Sequence, residues 1–247
     1  MLGAIANGTS YIHGFLNGAD CLSTIDCFSK MGIEVQVDGQ DVTVKGRGMH
    51  GLRAPQDILY TGNSGTTTRL LAGLLSAQNF SSVLDGDASI RRRPMQRVRI
   101  PLEQMGAQIS GDYCPLSITG RPLHGISYTL PVASAQLKSS ILLAGLYADG
   151  ETVVVEPHKS RDHTERMLAY MGVSVRTDNR QVTLAPAGNL AAQEIRVPAD
   201  ISSAAFFLAA GAIVKNSQIT LRDVGVNETR SGMIDVLQEM GAKIRLE

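Results

Sequence analysis

A chain of 247 residues, 43% apolar and 19% charged, is long enough to bury the core of one or two soluble domains. Its 23 basic residues equal its 23 acidic ones, so bulk charge gives no case for nucleic acid or an anionic membrane as partner. No apolar run approaches a membrane span, no signal peptide is visible, and Cys21, Cys27 and Cys114 are too scattered for a disulfide framework or a zinc site, which points to a reduced, cytoplasmic protein.

The chain opens on Met1-Leu2-Gly3-Ala4-Ile5-Ala6, which reads as the end of an apolar helix. Its counterparts are Leu70-Leu71-Ala72-Gly73-Leu74-Leu75, Leu142-Leu143-Ala144-Gly145-Leu146-Tyr147 and Phe207-Leu208-Ala209-Ala210-Gly211-Ala212. A second kind of helix ends in Met-Gly, at Met31-Gly32, Met105-Gly106, Met171-Gly172 and Met240-Gly241. These anchors recur about seventy residues apart, the mark of a repeat architecture, and each glycine suits the left-handed position that ends a helix. Thr152-Val153-Val154-Val155 and Ser217-Gln218-Ile219-Thr220-Leu221 read as strands, and Val173 to Arg176 with Gln181 to Leu184 as a closing hairpin turning at Thr177-Asp178-Asn179.

Each copy is therefore a βαβαββ unit, and the fold class is α/β. The first helices, such as Ile141 to Leu146 and Ala204 to Ala212, are apolar on nearly all sides, which predicts burial with sheets packed around them. Pro186-Ala187-Gly188-Asn189 reads as a linker. The expected domains are three repeats over 1–188 and one incomplete repeat over 189–247. The first copy lacks its opening strand and the start of its helix, and Lys243-Ile244-Arg245-Leu246 is a strand without its hairpin partner. The spacing predicts a chain cut at both ends; the alternative is a natural start with a degenerate first repeat.

Candidate chemistry gathers at helix starts. Gly62-Asn63-Ser64-Gly65-Thr66, Ser134-Ala135-Gln136 and Asp200-Ile201-Ser202-Ser203 each place a small polar residue before a helix. Free N–H groups and the helix dipole make such starts anion sites, yet plain capping explains the same residues. The run Gly62-Asn63-Ser64-Gly65-Thr66-Thr67-Thr68-Arg69 lets backbone N–H groups approach an anion, and it lacks the Lys of a nucleoside triphosphatase loop.

Pro94 fits the first position of a helix running to about Met105, with Arg93 held extended before it. Arg91-Arg92-Arg93 is either an anion fork or a solvated basic turn. Asp162 and Glu165 can form a capping box, and Arg161 sits just outside that helix as Arg93 does. His163 reads as a surface residue, His13, His50, His124 and His158 show no ligand spacing, and Lys138 is either solvated or a ligand.

Gly62-Asn63-Ser64-Gly65-Thr66-Thr67-Thr68-Arg69, Arg93-Pro94-Met95, Ser134-Ala135-Gln136 and Arg161-Asp162-His163-Thr164-Glu165, in that order along the whole chain, resemble the 5-enolpyruvylshikimate-3-phosphate (EPSP) synthase family. Ser-Ala-Gln in place of Ser-Ser-Gln resembles its second bacterial class. The resemblance implies the enolpyruvyl transferase fold, an inverse α/β barrel. It implies transfer of the enolpyruvyl group of phosphoenolpyruvate to the 5-hydroxyl of shikimate 3-phosphate with release of phosphate. It further implies a monomer without metal or organic cofactor.

By the same resemblance, Ser134, the Ala135 backbone, Gln136 and Arg161 hold shikimate 3-phosphate, while Asn63, Gly65, Arg93 and Gln136 border phosphoenolpyruvate. Family members with glycine at Gly65 leave room there for glyphosate. The family's proton-transfer groups, an Asp and a Glu of the second domain and a Lys near the start, are expected outside this chain, which is then inactive alone. The sister transferase acting on UDP-N-acetylglucosamine shares fold and donor, but carries a loop Cys where this chain has Cys114 in the strand pair Tyr113 to Ile118. A non-catalytic repeat module is the rival from another class; it predicts no convergent anion site.

Overall fold

The computed structural model describes residues 1–247, and its elements follow the repeat. The first copy holds α1 (Leu2–Ile5), β1 (Asn7–His13), α2 (Ala19–Lys30), β2 (Glu34–Asp38) and β3 (Asp41–Arg47). The second holds β4 (Leu59–Tyr60), α3 (Gly65–Ser76), β5 (Ser81–Asp85), a 3-10 turn (Ile90–Arg92), α4 (Gln96–Gln104), β6 (Gln108–Ser110) and β7 (Leu116–Thr119). The third holds β8 (Ser127–Thr129), α5 (Ala135–Gly145), β9 (Thr152–Val155), α6 (His163–Tyr170), β10 (Val175–Asp178) and β11 (Gln181–Leu184). Then come β12 (Glu194–Arg196), α7 (Ile201–Ile213) and α8 (Gly232–Glu239).

Each of the three copies builds one four-stranded sheet, in the orders β12-β1-β3-β2, β4-β5-β7-β6 and β8-β9-β11-β10. β4 pairs in parallel with β5, and β8 with β9; α3 and α5 supply the crossovers that parallel neighbours require. The closing hairpins are antiparallel, as where Asp178 faces Gln181 across a two-residue turn. In the first sheet, β12 takes the edge that β4 and β8 hold in theirs. The chain leading into it is tied to β1 by Asn7 N–H donating to Leu190 O (2.8 Å) and Tyr11 N–H to Gln193 O (3.1 Å).

All four Met-Gly glycines adopt the left-handed backbone expected of them, with φ of +86° at Gly32, +102° at Gly106, +89° at Gly172 and +94° at Gly241. The residue after each closes the same bond five residues back: Ile33 to Phe28, Ala107 to Leu102, Val173 to Leu168 and Ala242 to Leu237, at 2.9 to 3.0 Å. That is the Schellman ending, which satisfies carbonyls the helix leaves free.

α3 and α5 lie side by side at the centre of the core, and every residue of α5 from Leu137 to Gly145 is buried. They meet at Gly73, where a Cβ would lie 2.1 Å from the Ser140 carbonyl oxygen, so only glycine permits the approach.

The chain divides into two compact units, Met1–Ile195 and Arg196–Glu247. The linker-based boundary after 188 falls too early, because Leu190 is fully buried in the first core and Ala191 bridges Asn7. In the second unit α7 is not sheathed. Ile201 and Ala204 pack with Ile234, but Phe206 (79%), Phe207 (58%) and Ile213 (80%) are exposed. The expected strands at 217–221 and 243–246 are absent, for neither segment finds a ladder partner. The helix expected from Pro94 starts instead at Gln96, with Met95 as its cap and the Met95 N–H bonded to Asp112 O (2.8 Å). No helix is long and apolar enough to cross a membrane.

Candidate functional site

The turn between β4 and α3 divides its side chains between two tasks. Gly62 takes a left-handed φ of +59°. Ser64 caps α3, accepting from Thr67 N–H at 3.2 Å, and its hydroxyl bonds that of Thr67 (2.7 Å). Thr68 bonds the Thr61 hydroxyl (2.8 Å). Ser64, Thr67 and Thr68 are thus buried and spent on the turn, while Asn63 and Thr66 remain exposed.

Those two enter a cluster that joins the starts of α3 and α5. Gln136, in the first turn of α5, donates through Nε2 to Thr66 Oγ1 (2.7 Å) and accepts at Oε1 from Arg69 Nη1 (2.8 Å). Arg69 Nη1 also reaches the Gly65 carbonyl (3.3 Å). Arg93 Nη2 donates to Asn63 Oδ1 (2.8 Å) and Ser89 Oγ (3.1 Å). A Cβ on Gly65 would stand 2.8 Å from Nη1 of both Arg69 and Arg93, so the two guanidiniums flank this glycine. Asn63, Gly65, Arg93 and Gln136, which come from three separate motifs of the sequence, lie in one cluster.

Its charge is unbalanced. Arg69 and Arg93 bond only neutral acceptors, and Arg69 is pushed below its ordinary pKa first by burial and next by the Arg93 charge beside it. Two partly desolvated cations with no carboxylate between them fit an anion supplied from outside. Arg91 takes no part, since it forks Asp85 through Nε (3.0 Å) and Nη2 (2.6 Å). Arg92 is exposed. The arginine run therefore resolves into one site residue, one structural ion pair and one surface charge.

Ser134 caps α5, accepting from Leu137 N–H at 3.3 Å, and Ala135 opens the helix with its N–H free of the helical ladder. Both are half-buried beside Gln136. Arg161 lies one residue ahead of the α6 cap, exposed and joined to none of these bonds. The expected capping box is not formed. Asp162 makes no side-chain cap bond and accepts from Arg166 (2.9 Å), while Glu165 turns inward to Lys138 (2.6 Å). Lys138 is neither solvated nor free to bind a ligand: it is buried and pairs with Glu156 as well (2.8 Å).

Asp200 caps α7 by accepting from Ser203 N–H (3.0 Å), within the second unit. His163 is exposed at the first residue of α6. No group of three or more His, Cys, Asp or Glu side chains is placed to hold a metal ion.

Sequence reasoning passed over Arg69, Thr66 and Ser89 as site residues. A signal for Arg69 existed: it lies one helical turn after Gly65, and long helical side chains lean back toward the N-terminus.

Residues 1–247 match the family model for EPSP synthase (3-phosphoshikimate 1-carboxyvinyltransferase). The 3-phosphoshikimate 1-carboxyvinyltransferase of Bacillus pumilus (strain SAFR-032) is 57% identical over 250 residues, which cover 100% of this chain and 58% of that protein. The same-named protein of Bacillus subtilis (strain 168) is 55% identical over 251 residues, covering 100% of this chain and 59% of its own. A solved EPSP synthase from Acinetobacter baumannii superposes with a TM-score of 0.95 at 52% identity, covering 100% of this chain and 57% of that one. The chain thus spans a little under three-fifths of the length of these relatives.

Proposed function

Because the chain belongs to the EPSP synthase family, we propose that it forms the phosphate-binding half of a 3-phosphoshikimate 1-carboxyvinyltransferase of the second bacterial class. The observation that carries this is the pair of guanidiniums, Arg69 and Arg93, flanking Gly65 with no carboxylate between them, where the starts of α3 and α5 abut. Both substrates of such an enzyme are polyanions. Asn63, Gly65, Arg93 and Gln136 border phosphoenolpyruvate; Ser134, the Ala135 N–H, Gln136 and Arg161 hold shikimate 3-phosphate. Gln136, bonded to both Arg69 and Thr66, stands between the two and fixes one substrate against the other. Ser-Ala-Gln at 134–136 supports the class, and three free cysteines fit a reducing cytoplasm.

In the reaction the 5-hydroxyl gives up its proton to a base as its oxygen adds to C2 of phosphoenolpyruvate, and C3 gains a proton from an acid. The tetrahedral adduct then loses phosphate and a C3 proton to restore the vinyl group. The side chains here contribute charge and orientation, which hold the two reactants in register. They do not move the protons. Asn63, Thr66, Ser134 and Gln136 are neutral amides and alcohols, Arg69 and Arg93 are guanidiniums placed to hold charge, and Lys138 is sealed between two carboxylates.

The chain alone is therefore expected to bind without turnover. A phosphate-release assay with both substrates tests this; release above a trace rate would show that the site holds a proton donor this reading omits.

A further inference from the structure

The most deeply buried charge in the molecule lies one turn behind the proposed shikimate 3-phosphate site. Lys138 is 1% exposed, and its ammonium meets Glu156 at 2.8 Å and Glu165 at 2.6 Å, both also buried. Glu156 follows β9 and accepts from the Ser160 hydroxyl; Glu165 sits in the first turn of α6. Lys138 is the ion-pair partner of the Glu165 carboxylate, whose two oxygens are buried and accept no hydrogen bond, whereas the ammonium donates an aligned hydrogen bond to Glu156. Beside it Ser139 Oγ and Thr164 Oγ1 share a 2.6 Å bond between the same two helices.

An apolar contact would hold α5 against α6 at least as well, since a buried ion cluster must first repay desolvation. What the ions add is a fixed separation. Lys138 follows the α5 cap Ser134 by one helical turn, and Glu165 stands in the first turn of α6, three residues after its cap Asp162, with Arg161 just ahead of that cap. One ammonium against two carboxylates leaves a surplus negative charge, and Glu165 sits at a helix N-terminus, where the dipole favours it.

We infer that Lys138 is a positioning residue. Its ion pair with Glu165 sets the separation of Ser134, at the start of α5, from Arg161, ahead of α6, so that both engage the phosphate of one acceptor. This rests on the proposed function of the site. The tie to Glu156 anchors the ammonium to the sheet and does not set that separation.

The test is calorimetric titration of the 247-residue chain with shikimate 3-phosphate and with shikimate, for the wild type, Glu165→Gln and Glu156→Gln. Each variant leaves one neutral Lys–Glu pair in place, and cooperative melting confirms its fold. Both remove one negative charge near the phosphate, so charge alone predicts tighter binding in each. Positioning predicts that Glu165→Gln weakens shikimate 3-phosphate by about tenfold or more, while Glu156→Gln binds it as the wild type or tighter. Glu165→Asp, which keeps the charge and shortens the arm by one methylene, is expected to weaken binding too and serves if Glu165→Gln fails to fold. Unchanged or tighter binding by the Glu165 variants, or equal loss with Glu156→Gln, overturns the inference and leaves the site reading intact. A wild type that binds neither compound overturns the site reading itself.

Discussion

A methyl group added at Gly65 would meet Nη1 of Arg69 and Nη1 of Arg93 at 2.8 Å each. Both atoms end flexible side chains, so Gly65→Ala shifts two guanidiniums and leaves the backbone alone. In an enzyme of the relatives' full length it is expected to weaken glyphosate inhibition by roughly tenfold or more, the scale on which one methylene discriminates between ligands, with a smaller rise in KM for phosphoenolpyruvate. Equal losses in both would contradict the steric account. At Asp85 the Arg91 guanidinium, helped by the Gly86 N–H, holds the carboxyl below the usual carboxylate range. A depressed folded pKa stabilises fully above the unfolded value, about 3.9, and the contribution fades as pH falls through the folded one. Asp85→Asn should therefore lower stability at neutral pH and flatten the acid limb below about pH 4. An unchanged limb in chemical denaturation across pH would show that the pair contributes nothing.

The helix endings test the repeat at the next scale. Gly172 has φ of +89° with nothing within 4 Å of an added Cβ, so alanine there meets strain but no clash. Gly172→Ala is expected to cost about 1–2 kcal/mol, the penalty of a left-handed backbone with a Cβ. Gly188→Ala, also in open space but at an ordinary φ, is expected to be neutral by the same denaturant melt. Similar effects at both would mean the left-handed ending is not what these glycines serve.

These endings were legible from Met-Gly alone, because a left-handed φ favours glycine whatever packs around it. Ser64 and Ser134 were legible as caps for the same local reason. The fates of Arg91, Arg92 and Arg93 were not: adjacent residues on a 3-10 turn diverge, and Asp85 lies on a strand six residues earlier. Lys138 misled because its partners Glu156 and Glu165 come from a strand end and another helix. The run 217–221 has strand chemistry, but a strand exists only where a partner lies beside it.

Over the whole first unit, three βαβαββ copies become three sheets around buried α3 and α5, and β12 returns from the end of the third copy to complete the first sheet. That closure depends on contacts nearly the full length of the unit apart, such as Asn7 with Leu190, which no periodicity in the sequence announces. The α3 and α5 starts meet directly inside this one unit, through Gln136 with Arg69 and Thr66, so the proposed phosphate site needs no partner domain in order to exist. Titration calorimetry of the 247-residue chain with shikimate 3-phosphate, with shikimate as control, tests this most directly. Saturable binding that requires the phosphate is the expected result. A cooperatively melting chain that binds neither compound, or both alike, would contradict it.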